Sequence, residues 1–154
     1  MTISRTDTVI VVGFLILVQG TGALAGFWLP AIAPEVGQSL GLSPSLIAYP
    51  VLILYIFAMI SSLMAGGIVR RFGAWRSSQA ALILIGVSHL MFMNGSLLFL
   101  ALGSIILGGA YGLLTPPASH LLSKIVTPKN RNLIFSIRFT GVPLGGILAG
   151  LLAP

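Results

Sequence analysis

Few residues in this sequence can do chemistry, and one stands out among them. The 154 residues include eight Lys and Arg, two acids and two histidines. Arg138 is the one basic residue inside an apolar run, seven residues past Arg131, or about 10 Å along a helix. A charge at such a place is costly and marks a functional hypothesis by default. It could hold an anionic solute group in a central cavity, or pair with a carboxylate on a helix outside this chain. Its shallow depth would also let it snorkel to the interface. A cavity or structural role is the preferred reading. The only acids, Asp7 and Glu35, fall outside the apolar runs, so no intramembrane acid partner is expected.

Other chemistries lack their parts. There is no cysteine, so thiol chemistry and Cys-based metal sites are absent. His89 and His120 have no carboxylate or second histidine at ligand spacing, and no metal site is expected. No nucleophile elbow and no phosphate-binding loop occur. The chain reads as a non-enzyme without a cofactor. Gln19, Tyr55, Tyr111 and Thr115 remain, each on a polar or small-residue helix face. Gln19, Gly22 and Gly26 share one face, Tyr55, Met59, Ser62 and Gly66 a second, and Ser104, Gly108, Tyr111, Thr115 and Ser119 a third. Polar groups avoid lipid, so these faces are expected to point into a bundle. For each residue alone, helix packing with interhelical hydrogen bonds is an equally good reading.

The elements that must position these residues are membrane helices. The composition is 56% hydrophobic and 6% charged, against about 25% charged residues in soluble domains. About 20 apolar residues cross a bilayer core. Runs of that kind cover about 9–29, 46–69, 77–93, 97–121 and 133–153, giving an all-α polytopic protein in a single domain, 1–154. Ala23-Leu24-Ala25 resembles a signal-cleavage site, but the apolar run continues through Leu29, so an uncleaved first span is expected. Pro30 to about Pro44 reads as a loop, because prolines and glycines mark turns there. The fifth run reaches Pro154 without a polar tail, which suggests a chain truncated at its C-terminus.

Seven of the eight basic residues then share one side: Arg5, Arg70, Arg71, Arg76, Lys124, Lys129 and Arg131. The positive-inside rule makes that side, and the N-terminus, cytoplasmic. The net charge of +6 does not imply nucleic acid, because the basic residues sit in short connectors and form no extended face. Anionic lipid of the bilayer is their expected contact. Gly22-x-x-x-Gly26-x-x-x-Pro30 recurs as Gly108-x-x-x-Gly112-x-x-x-Pro116, on helices one and four of opposite direction. An inverted repeat of three helices would produce this. So would chance, with 19 glycines in the chain.

Gly66, Arg71 and Gly73, after the second span, resemble the Gly-x-x-x-Asp-Arg/Lys-x-Gly-Arg-Arg/Lys loop of the major facilitator superfamily. Gly141-Val142-Pro143-Leu144-Gly145-Gly146 is similar to that family's Gly/Pro-rich fifth helix. The resemblance covers the whole chain, as the first five of a usual twelve helices, an incomplete six-helix N-terminal bundle. Arg70 stands where the loop motif has an acid, and Ala74-Trp75 where it has a basic pair, so its charge latch cannot be carried over. Ser104 occupies the place of an arginine found in proton-coupled members. The resemblance implies alternating-access transport of a small solute in a plasma (bacterial inner) membrane, together with a missing C-terminal half. Helices one, two, four and five would line the path, which makes Gln19, Tyr55, Tyr111, Thr115 and Arg138 its candidate residues. Gly66, Arg71 and Gly73 would form the gating loop. Arg138 alone points to an organic anion. The alternative class is a small helical membrane protein, structural or regulatory, complete in five spans.

Overall fold

The computed structural model of the chain describes residues 5–39, 41 and 43–153. Pro154 and the side chain of Arg5 lie outside them. Among the described residues seven helices follow in order: α1 (Arg5–Ser39), α2 (Pro44–Phe72), α3 (Ala74–Phe92), α4 (Leu97–Gly112), α5 (Thr115–Ile125), α6 (Arg131–Phe139) and α7 (Gly141–Leu152). They form five rods, since α4 and α5 run on as one span, Leu97–Ile125, and α6 and α7 as another, Arg131–Leu152. The architecture is all-α and polytopic.

Four rods among the described residues are long and apolar enough to cross a membrane. The third, α3, is not among them, because Arg76, Gln79, His89 and three serines dilute its apolar content. Topology makes α3 run the length of the bundle all the same. A Cβ at Gly108 would meet Phe57 Cβ at 2.9 Å, and one at Gly112 would meet Ser62 N at 2.8 Å. The two sequences advance together, so α2 and α4 are parallel. The chain must return between them, and α3 does so. Its Phe92 and Ser88 lie against Gly103, just past the Asn94-Gly95 turn. At about 1.5 Å per residue its 19 residues cover about 28 Å.

The first rod corrects an expectation. Residues 30–39, read as a loop, continue α1 with Pro30 and Pro34 inside the helix. Each proline removes one backbone hydrogen bond, which a membrane helix tolerates when neighbours satisfy the freed carbonyl. The fourth and fifth runs, read as single helices, are each interrupted. Pro116 and Pro117 have no N–H to offer the carbonyls of Gly112 and Leu113, and α4 ends there. Pro143 likewise cannot bond to Phe139, and the helix breaks at Thr140, whose Oγ1 donates to the Ile137 carbonyl at 2.6 Å.

The most extensive interfaces are α1 with α7 and α2 with α4. Both are close backbone approaches at glycine. Gly145 sits on α1, where an added Cβ would lie 2.7 Å from Ala23 Cβ. Gly141 sits one turn earlier, 3.2 Å by the same measure from Gln19 Cβ. In membranes, where lipid is as apolar as leucine, such approaches supply the packing that holds helices together. Ser61 Oγ adds a hydrogen bond of 2.6 Å to the Gly109 carbonyl. An inverted repeat relating the first rod to the fourth and the second to the fifth would turn one interface into the other. The two matched glycine pairs do not follow that relation. Gly22 and Gly26 face Leu114 and Tyr111 of the fourth rod, whereas Gly108 and Gly112 face the backbone of α2.

This packing predicts a contrast between adjacent glycines. Gly108→Ala or Gly112→Ala forces backbone against backbone and should destabilise by about 1–3 kcal/mol. Gly109→Ala adds a methyl to open space inside the helix and should cost nothing, with a gain of up to about 1 kcal/mol. Unfolding midpoints in detergent would show the difference.

Candidate functional site

Arg138 occupies the last turn of α6 and is fully buried. The helix places it there by register. Arg138, Gly141, Gly145 and Ala149 form one buried stripe along the rod, and the glycines of that stripe bring the rod against α1. Nη2 of Arg138 donates to Gln19 Oε1 at 2.7 Å, a short and well-formed bond, and Nη1 donates to Ser119 Oγ at 3.3 Å. The Phe139 ring centroid lies 4.8 Å from the guanidinium carbon. Nε is buried and has no partner among the described residues. The snorkelling alternative is thereby removed: the side chain points into the bundle and joins α1, α5 and α6.

Gln19 is buried in the same place, with only 4% exposure. Beside the pair, Val12, Leu15, Ala118 and Leu122 form an apolar cluster between α1 and α5. The polar triad is therefore bordered by side chains that offer it no hydrogen bonds. Ser119 is offered by the sequence only as part of a helix face and not as a partner of Arg138. It lies one turn beyond Thr115, and only the break at residues 113–114 fixes which way that turn faces.

The other candidates lie elsewhere. Tyr111 is half-buried, with its ring packed over Gly26, where an added Cβ would come within 3.1 Å of the ring. Tyr55 lies near Tyr111 but remains 46% exposed. Met59, Ser62 and Gly66 of its face are exposed as well, so the expectation that this face points into the bundle is corrected. Close approach decides the orientation. The glycines of α4 accept only the opposite face, which carries Ala58 and Ser61. Thr115 begins α5 and is half-buried. The structure thus brings together Gln19, Ser119 and Arg138, and sets Tyr55 and Tyr111 apart from them as a second pair.

The basic stretch proves to be a one-residue joint. Gly73 alone separates α2 from α3, at φ +81° and ψ 156°. Its N–H bonds to Val69 O at 2.9 Å, and its carbonyl accepts from Ser77 Oγ at 2.8 Å. Arg71 is exposed, with its guanidinium 5.4 Å from the Phe72 ring centroid. Gly66 lies in open space on the exposed face of α2. Trp75, in the sequence only a departure from the loop motif, stacks on Phe14 of α1 with centroids 5.4 Å apart and planes at 28°. A ring contact therefore links the start of α3 to α1 at a place where the motif carries charges.

The two glycines of this stretch should respond oppositely to alanine. Gly73→Ala puts a side chain at positive φ, which costs about 1–2 kcal/mol. Gly66→Ala lies inside a helix with room for the methyl, and should gain about 0.5–1 kcal/mol. Thermal unfolding of the two variants would test this.

Among curated proteins no match to the chain was found. A family model described as Major Facilitator Superfamily matches residues 11–154, which takes in α2 to α7 and all but the first six residues of α1. The chain belongs to the Major Facilitator Superfamily, a family of transporters.

Proposed function

We propose that this chain forms the first five spans of a secondary active transporter that moves a small solute by alternating access. The observation that carries the reading is Arg138, a charge fully buried among apolar helices and held by the neutral Gln19 and Ser119. Intramembrane charges are retained where they serve a pathway or a solute. Gln19, Ser119 and Arg138 form the polar core of the path. Tyr55, Tyr111 and Thr115 line its approach, where tyrosine hydroxyls can exchange hydrogen bonds with a passing solute.

Further helices would complete the bundle. The exposed apolar side chains Leu52, Ile56, Met59 and Leu63 of α2, and Leu144, Ile147, Leu148 and Leu151 of α7, offer cover to them and to lipid. The connectors with Arg70, Arg71, Arg76, Lys124, Lys129 and Arg131 mark the cytoplasmic end of a plasma membrane, bacterial inner membrane in type, by the positive-inside rule. The N-terminus of α1 lies at that same end. Gly66, Arg71 and Gly73 belong to the joint at which α2 and α3 pivot as the two halves rock. The joint has no charge latch, since Arg70, Ala74 and Trp75 replace the residues that would form one.

The absence of cysteine in this chain makes the test direct. Thr115→Cys and Tyr55→Cys are introduced singly into the full-length gene product, with any cysteine outside residues 1–154 replaced. A membrane-impermeant thiol reagent is then applied to right-side-out and inside-out vesicles. Alternating access predicts labelling of Thr115→Cys from both sides. Labelling from one side only, or from neither, would show a static bundle and sink the proposal.

A further inference from the structure

We propose that the Nε/Nη2 edge of Arg138 is the docking point for the carboxylate of a small organic monoanion. The inference rests on the transport reading only in calling that anion a solute. Its binding to Arg138 stands on the charge balance of the buried site.

The guanidinium is fully buried and always charged. Its hydrogen-bond partners, Gln19 Oε1 and Ser119 Oγ, are neutral, and so is the Phe139 ring beneath it. Asp7 and Glu35, the only acids in the sequence, are both exposed near the ends of α1. Gln19 lies 12 residues from one and 16 from the other, about 18 and 24 Å along the helix. A buried charge without a counter-charge is strongly disfavoured. Hydrogen bonds and a ring face soften that cost without neutralising it.

The open donor fixes the class of anion. Nε–H has no partner among the described residues, and it lies parallel to an Nη2–H on one edge of the planar fork. Two parallel donors match the two oxygens of one carboxylate. Nη2 gives one of its two hydrogens to Gln19 Oε1, and Nη1 is bonded to Ser119, so Nε–H is the donor that stands open. One fork and one net positive charge, with neutral groups around them, balance a single negative charge. A phosphate dianion would leave one negative charge buried without a partner. The site lies beside the helix break at Thr140 and the glycines that follow it.

Benzoate and its neutral isostere benzamide are the probes. Each is titrated into the purified full-length gene product in lipid nanodiscs while the thermal unfolding midpoint is read. Benzoate should raise the midpoint saturably, on the order of 2 °C at tenfold saturation, and benzamide should not. Arg138→Gln should lose the response and Arg138→Lys should keep a weaker one, because a lysine lacks the fork. If Arg138→Gln fails to fold, Gln19→Glu decides the matter. It supplies the counter-charge from within, so the midpoint without ligand should rise and the benzoate response should vanish. The proposal is overturned if benzamide acts like benzoate, if the wild type ignores benzoate, or if Gln19→Glu keeps the response. A benzoate response without two-sided labelling of Thr115→Cys would remove transport and leave the anion site. The reverse result would remove the anion and leave transport.

Discussion

One buried charge sets the terms for the rest of this bundle. Arg138 cannot enter an apolar interior without hydrogen-bond acceptors, and it finds them on two other rods, at Gln19 and Ser119. The requirement fixes the rotation of α6 relative to α1, because an arginine turned toward lipid would lose both bonds. It also demands that the rods come close. Gly141 and Gly145, which follow on the same stripe, allow that approach. Charge and glycine are therefore one device: the glycines let α7 touch the backbone of α1, and the arginine selects the face on which it does so.

The α2–α4 interface answers the same problem without a charge. Gly108 and Gly112 meet α2 backbone directly, and Ser61 supplies a side-chain hydrogen bond across the contact. The two interfaces would be exchanged by an inverted three-helix repeat, yet their glycines sit on different members of each pair. The helix pairing has a repeat's pattern, and the residue positions do not. In membranes the side that contributes the small residue matters less than the closeness that it allows. α3 lies outside both crossings and can carry its serines and histidine, and its start is fastened by the ring stack of Trp75 on Phe14.

The all-α, polytopic architecture was legible because apolar runs of bilayer length admit few other readings. Arg138 and Gln19 were legible by type, since a charge and an amide inside apolar runs must be satisfied somewhere. Their partnership was not legible, because it depends on the rotation of α6 relative to α1, which only the packed bundle shows. The extension of α1 to Ser39 was hidden by Pro30 and Pro34, which in water-soluble chains mark turns. The outward turn of Tyr55 was hidden for a related reason. Polarity argued for burial, but the face opposite it was the one that could meet glycine at backbone distance. Ser119 was visible as part of a face but not as a ligand of Arg138, because the break ahead of Thr115 re-aims the last turns of the rod.

The dependence of the bundle on Arg138 is most directly tested by a double-mutant cycle. Gln19→Leu, Arg138→Leu and the double variant would be compared with the wild type by reversible unfolding in mixed micelles. A direct bond between α1 and α6 predicts a coupling of about 1–2 kcal/mol, with the double variant less impaired than the sum of the singles. Additivity to within about 0.5 kcal/mol would mean that Gln19 and Arg138 act independently, and would contradict the organising role of the buried charge.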